Sequence, residues 1–270
     1  MISPSDIENL ADRLRNAATS QAPCSLGLLS MSHANIRDAY AISRCHVDRK
    51  MRELNVTQVG WKVGVTSSVL QERFEYSEPT YGYLTSEMAV LSGGTIPGGL
   101  IRPQAEAEVV FSFKRDLNCQ NITEGDVWDA VDYVTAGIEV IDCRIEFPPF
   151  SILDHIADNA FAGRFVVSDE KREARDMRLA GLEMELRKNG KLAGSGFGAD
   201  VLGDPIRSIV WLANTLRQTG QFIRTGQLVY SGSFGAGVPF GGGDRIEIEI
   251  PNLGKTSFSY DEQTTRIKSL

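Results

Sequence analysis

The chain has 270 residues, 42% apolar and 23% charged, with a formal net charge of −7. That length allows one large domain or two smaller ones around a substantial core. The acidic balance argues against a nucleic-acid partner, which needs a basic face. No apolar run approaches the roughly 18–20 residues that span a bilayer. The polar, amphipathic start is not a secretory leader, so a cytoplasmic protein without a membrane partner is expected.

The first 58 residues read as a helical N-terminal region, and 59–270 as a β-rich body within one structural unit. Ile7, Leu10, Ala11 and Leu14 have helical spacing over Asp6–Ala17. A loop with Pro23 and Gly27 follows. A second helix is expected from Ser32 to Leu54, with Ile36, Tyr40, Val47, Met51 and Leu54 as its stripe. Val59–Val65 reads as a strand with small residues where backbone approaches closely. Residues 76–104 are punctuated by Gly and Pro and read as turns and short strands. Residues 102–113 read as a strand rich in Val and Phe. Thr123 with Asp126 predicts a capped helix whose buried face is Val127, Ala130, Val131 and Val134. Strands are expected around Glu139 and over 164–168. Leu182–Arg187 alternates toward Asn189-Gly190, a hairpin turn, with a return strand at Lys191–Gly194. Asp204-Pro205 caps a helix over Ile206–Arg217. Strands at Leu228–Ser231, Arg245–Ile250 and Thr256–Tyr260 close the chain. The fold class is α+β.

Three carboxylates carry most of the functional information. Glu106 and Glu108 lie two apart on a strand and share a face, next to Ala105, Ala107 and Val109. Glu139 lies in a second apolar strand. Acids inside apolar patterns are costly unless neutralised. A hard divalent cation held by oxygen would neutralise them, which suggests Mg²⁺ or Mn²⁺. Cys24, Cys45, Cys119 and Cys143 form no Cys-x-x-Cys pair and read as reduced thiols. The three histidines are too dispersed for a His-rich site.

Lys62 sits among Trp61, Val63 and Val65, where a lysine needs an acid partner or a chemical task. Burial would lower its pKa and suit it to proton transfer. Asp154–Ala160 reads first as a turn, with Asp158 and Asn159 able to orient ligands. His155 beside Asp154 is no triad, since no Gly-x-Ser-x-Gly elbow accompanies it. Gly194–Gly198 lacks the Gly-Lys-Ser/Thr ending of a phosphate loop and reads as a flexible loop beside a site. Gly232-Ser233-Phe234-Gly235 follows a strand, a common place for ligand contacts.

An ordered set of segments goes further. These are Gly60-Trp61-Lys62-Val63-Gly64, Glu78-Pro79-x-Tyr81-Gly82, Glu106-x-Glu108, Glu139-Val140-Ile141-Asp142-x-Arg144, Ile156-Ala157-Asp158-Asn159, Leu202-Gly203-Asp204-Pro205, Trp211–Asn214 and Gly232-Ser233-Phe234. Together they resemble the 2-hydroxypenta-2,4-dienoate hydratase and 4-oxalocrotonate decarboxylase branch of the fumarylacetoacetate hydrolase superfamily, over about residues 10–262. The resemblance implies a mixed β-roll body and a Mg²⁺ or Mn²⁺ site on Glu106, Glu108 and Glu139. It places Lys62 beside the substrate, with Ser233 and Asp158 as further substrate contacts. It also implies a homo-oligomer of bacterial aromatic-compound catabolism, able to associate with a pathway decarboxylase or hydratase. Many relatives carry Asp where this chain has Thr80. Threonine cannot ionise as a base but can hold a water or a carbonyl. His155 is the candidate to replace the missing acid.

The expected chemistry is hydration of a 2-hydroxy-2,4-dienoate through its 2-oxo tautomer. A cation held by the carboxylates acts as Lewis acid toward a 2-oxo acid, and Lys62 moves a proton or stabilises an oxyanion. Decarboxylation of a 4-oxalocrotonate-type acid is the alternative, followed by cleavage of an acylpyruvate C–C bond. A non-catalytic partner subunit is the least favoured reading, because the glutamates and Lys62 are all present. Arg102, Arg144 and Arg164 could meet a second substrate carboxylate, although each is more often a structural ion-pair partner.

Overall fold

A computed structural model describes residues 1–31, 33–146, 151–173, 175 and 177–261. Helix α1 (Pro4–Ser20) starts at a capping box between Ser3 and Asp6, with proline in its first turn. Helix α2 (Ile36–Leu54) is capped by Asn35 and Asp38. The expected start at Ser32 lies outside the described residues. The buried face of α2 also differs from the expected stripe. Ala39, Ile42, Ser43, His46 and Val47 are buried, whereas Leu54 is 46% exposed. One helix packs on several neighbours here, so its inner face is wider than one stripe. Leu10, Leu14, Leu26, Ile42, Ile156 and Phe161 form the core that joins both helices to the body.

The body continues with β1 (Gln58–Gly64), α3 (Ser68–Phe74), β2 (Thr80–Thr85), β3 (Ala89–Val90) and β4 (Thr95–Ile96). Then follow β5 (Pro103–Phe113), α4 (Glu124–Ala130), β6 (Val131–Asp142), α5 (Ile152–Ala157) and β7 (Ala162–Val167). The hairpin β8 (Glu183–Lys188) and β9 (Lys191–Phe197) turns at Asn189-Gly190, both with positive φ, as a two-residue hairpin requires. Helix α6 (Pro205–Gln218), β10 (Leu228–Ser233), β11 (Val238–Pro239), β12 (Arg245–Ile250) and β13 (Gly254–Tyr260) complete the described chain. Among the described residues, no helix is long and apolar enough to cross a membrane.

Three expectations need correction. Helix α4 stops at Ala130, so Val131 and Val134 belong to β6 rather than to its buried face. β-Branched and aromatic residues from Val131 onward favour the pleated sheet over another helical turn. Gly194–Gly198 is not a loop: it is the end of β9 and a 3-10 turn. Its glycines are there for packing, since a Cβ on Gly196 would lie 1.6 Å from the Phe234 carbonyl oxygen. The segment read as a turn at 154–160 begins instead with the short helix α5, closed by a Ser151–Asp154 capping box.

The larger, eight-stranded sheet has the order β2-β1-β10-β5-β6-β7-β3, with β11 on β5. The second is five-stranded, β4-β13-β12-β8-β9. Ala105, Ala107, Val109 and Phe111 of β5 and Ala136, Ile138 and Val140 of β6 share one core with Leu186, Ile246, Ile248 and Phe258 of the second sheet. The period of two therefore sends Glu106, Glu108 and Glu139 to the opposite face. Burying one face on the second sheet fixes the register, and the register aims the acids.

Candidate active site

Glu106 and Glu139 are directly paired across β5 and β6, and Glu108 faces Gly137. One oxygen from each of the three carboxylates lies within 4.8 Å of the other two. Glu108 and Glu139 are almost fully buried, whereas Glu106 is partly open to a cavity of about 880 Å³. Lys62 on β1 is also buried, and its ammonium lies 3.1 Å from Glu139 Oε2. Three strand spacings separate β1 from β6, about 14 Å in a flat sheet. Only a curled sheet lets a lysine and a glutamate meet across that interval.

The charge state follows from burial. Desolvation, then the neighbouring Glu139 charge, pushes Glu106 up to about 7. The same two causes hold Glu108 well above the usual carboxylate range. Burial pulls Lys62 down, but Glu139, Glu106 and Glu108 outweigh it and hold Lys62 above its ordinary value. The expected lowering of the Lys62 pKa is therefore reversed.

The donor set fits a hard divalent cation. Glu108 Oε1 and Glu139 Oε1 are buried without a hydrogen-bond partner among the described residues. With one oxygen from each carboxylate within 4.8 Å of the others, the three could share a single hard cation. Glu108 Oε2 is fixed by the Gly232 backbone N–H at 2.7 Å. A side chain at Gly232 is barred: φ is +114° and a Cβ would lie 2.6 Å from Thr66 Oγ1.

Lys62 also donates to the Ala160 carbonyl at 2.9 Å. That carbonyl is presented by a left-handed run, with φ of 53°, 48° and 61° at Asn159, Ala160 and Phe161. Such a run costs about 1–2 kcal/mol per residue and needs support. Asn159 supplies it by bonding both backbone groups of Tyr83, accepting from its N–H at 2.7 Å and donating to its carbonyl at 2.9 Å. A Cβ on Gly82 would lie 2.5 Å from the Asn159 carbonyl oxygen, so glycine admits the run. Asn159 and the Gly232 loop are singled out from sequence as ligand-orienting or ligand-contacting segments, but not the roles of the Ala160 carbonyl and the Gly232 N–H. Backbone groups leave no side-chain signature; the tolerance of Asn for positive φ was the available sign.

Thr80 and His155, 75 residues apart, meet in space: His155 Nε2 lies 3.0 Å from Thr80 Oγ1. Burial and the Lys62 charge push the His155 pKa down to about 3, so the imidazole is neutral. Ser233 lines the cavity and donates from Oγ to the Gly235 carbonyl at 2.6 Å. Asp158 is placed elsewhere. It is fully buried and engaged by Arg144, whose Nε and backbone N–H bind its carboxylate. It does not line the cavity, so the expected substrate contact is replaced by a structural ion pair. Of the three arginines considered, Arg102 alone lines the cavity.

The model of the fumarylacetoacetate (FAA) hydrolase C-terminal family matches residues 51–259. The chain is 35% identical over 260 residues to a 2-hydroxyhexa-2,4-dienoate hydratase of Comamonas testosteroni, covering 94% of this chain and 96% of the relative. It is 33% identical over 261 residues to a 2-keto-4-pentenoate hydratase of Paraburkholderia xenovorans, covering 96% and 97%. The solved structure of 4-oxalocrotonate decarboxylase from Pseudomonas putida G7, complexed with magnesium and adipate, superposes with a TM-score of 0.91 at 30% identity, covering 96% of this chain and 99% of that one. With Glu106, Glu108, Glu139 and Lys62 clustered on its sheet and its sequence matched along nearly its whole length, the chain belongs to the fumarylacetoacetate hydrolase family.

Proposed function

We propose that this chain is a divalent-metal-dependent hydratase that adds water to a 2-hydroxy-2,4-dienoate, through its 2-oxo tautomer, to give a 4-hydroxy-2-oxo acid. The observation that carries the reading is the cluster of Glu106, Glu108 and Glu139 with Lys62 against it, of which Glu106 and Lys62 reach the cavity. The near full-length likeness to two hydratases supports the choice of reaction.

Glu106, Glu108 and Glu139 would hold Mg²⁺ or Mn²⁺. Bound there, the cation supplies Lewis acidity toward the C1 carboxylate and C2 oxygen of a 2-oxo acid. Lys62 holds a proton at Nζ beside the same cavity and opposes negative charge growing on the C2 oxygen. The Ala160 carbonyl and Glu139 orient that ammonium. Ser233 borders the space left for the substrate. The apolar wall of Val65, Leu70, Phe74 and Phe161 keeps bulk water from the reacting carbons.

Decarboxylation is the second reading, favoured by the likeness to 4-oxalocrotonate decarboxylase and by Arg102 at the cavity. Comparing kcat/KM for 2-hydroxypenta-2,4-dienoate with that for 4-oxalocrotonate, with CO₂ trapped, separates the two. Higher efficiency on the dienoate without CO₂ is expected; faster CO₂ release from the diacid would reverse the assignment. Assembly into a homo-oligomer is what the family resemblance implies for this chain. Sedimentation velocity tests this, and a purely monomeric species would remove it.

A further inference from the structure

Around Gly64, at the end of β1, three polar atoms from distant parts of the chain converge. A Cβ built on Gly64 would lie 3.1 Å from Thr80 Oγ1, 3.4 Å from Lys62 Nζ and 3.5 Å from His155 Nε2. Gly64 itself has no positive φ, so its backbone does not demand glycine. The missing side chain instead leaves a small polar recess. Gly64, Lys62 and His155 all line the main cavity, so the recess opens into it.

The hydrogen-bonding capacity there is unspent. Lys62 uses two donors, on Ala160 and Glu139, out of an ammonium's three. Among the described residues the Thr80 hydroxyl makes one hydrogen bond, to His155, although a hydroxyl can donate once and accept twice. The His155 ring is held in place by Phe161, edge-on at 4.6 Å between centroids, and by Phe74 at 5.4 Å. A buried water needs two to four polar partners, and three converge here.

We propose that Gly64, Lys62, Thr80 and His155 form the pocket that holds the water consumed in the reaction, an inference that rests on the hydratase reading. The substrate oxygens would lie toward the carboxylates and the water toward Gly64. In the addition, the water oxygen bonds to C4 of the 2-oxo-3-enoate. The C3=C4 π pair moves to C3, which takes up one proton for the one that the water releases. The net change is one H and one OH added, with no oxidant or reductant. Thr80 and His155 therefore act as positioning residues for the water, and Gly64 keeps its place empty.

The experiment follows two rates with 2-hydroxypenta-2,4-dienoate and Mg²⁺: loss of dienol absorbance, and appearance of 4-hydroxy-2-oxopentanoate by NMR. Gly64→Ala fills the recess, and Thr80→Val removes the hydroxyl at nearly constant volume. The rate of hydroxy-acid formation is expected to fall about a hundredfold in each, the size that misplacing a reactant by about 1 Å brings. Dienol loss should fall far less, so the unhydrated 2-oxo-3-enoate accumulates. A merely structural role would lower both rates together. Thr80→Val carries the test if Gly64→Ala fails to fold. Variants that keep the wild-type product ratio would overturn the water pocket and leave the hydratase reading standing. A wild-type protein that forms no hydroxy acid would overturn both.

Discussion

Binding of Mg²⁺ to the apo protein should expel protons at pH 7, at least the half proton on Glu106, because hard-cation ligation needs ionised carboxylates. Glu106, pushed up to about 7, is half protonated there. Glu108 is held well above the usual carboxylate range and adds to the release. From pH 8 to pH 6, competition at Glu106 weakens binding about tenfold, and competition at Glu108 acts in the same direction. Titration calorimetry in buffers of different ionisation enthalpy counts the protons released. The sign for stability follows from the same groups. In the unfolded chain these glutamates titrate near 4.5. The native apo state therefore binds more protons between about pH 4.5 and 7, and its stability falls as pH rises through that window. Saturating Mg²⁺ should cancel the fall. Proton release near zero, with equal affinity at pH 6 and pH 8, would refute the desolvation argument for the trio.

Glu139→Gln keeps the shape but removes a ligand and the Lys62 partner. Mg²⁺ affinity by calorimetry should drop more than about a hundredfold, beyond the cost of losing an outer hydrogen-bond partner. Asp158→Asn leaves the Arg144 charge buried and unpaired, costing about 3–5 kcal/mol. The melting temperature should fall by roughly 10 °C with little change in KM; a raised KM at unchanged melting temperature would restore a substrate role for Asp158. Asn159→Ala loses two bonds to the Tyr83 backbone, each worth about 1 kcal/mol. Faster hydrogen exchange at the Tyr83 amide should accompany a lower kcat, since the Ala160 carbonyl no longer fixes Lys62. Gly196→Ala forces a Cβ to within 1.6 Å of the Phe234 oxygen. It should destabilise by about 3 kcal/mol or more in denaturant titration.

The period-two alternation around Glu106 and Glu108 was enough to predict a shared face, because strand geometry is local. Asn189-Gly190 and Asp204-Pro205 likewise marked a hairpin and a helix start by turn and cap chemistry alone. Three features depended on contacts remote in the chain. Lys62 could be recognised as out of place, but the rise of its pKa depends on three carboxylates from strands β5 and β6. Asp158 carried the same acidic label as the glutamates, and only the position of Arg144 makes it structural. Gly64 and Gly196 look alike in sequence, yet one borders an open polar recess and the other a carbonyl at contact distance. Val131 and Val134 fit a helical face and a strand equally well over so short a stretch, and pairing with β5 decided between them.

Hydration at the carboxylate trio should depend on the divalent cation. Its most direct test is the ultraviolet absorbance of freshly made 2-hydroxypenta-2,4-dienoate with the protein, in Mg²⁺ and in EDTA, with the product identified. Loss of the dienoate and formation of 4-hydroxy-2-oxopentanoate are expected in Mg²⁺, abolished by EDTA and by Glu139→Gln. Conversion that persists in EDTA, or a product without the added hydroxyl, would contradict it.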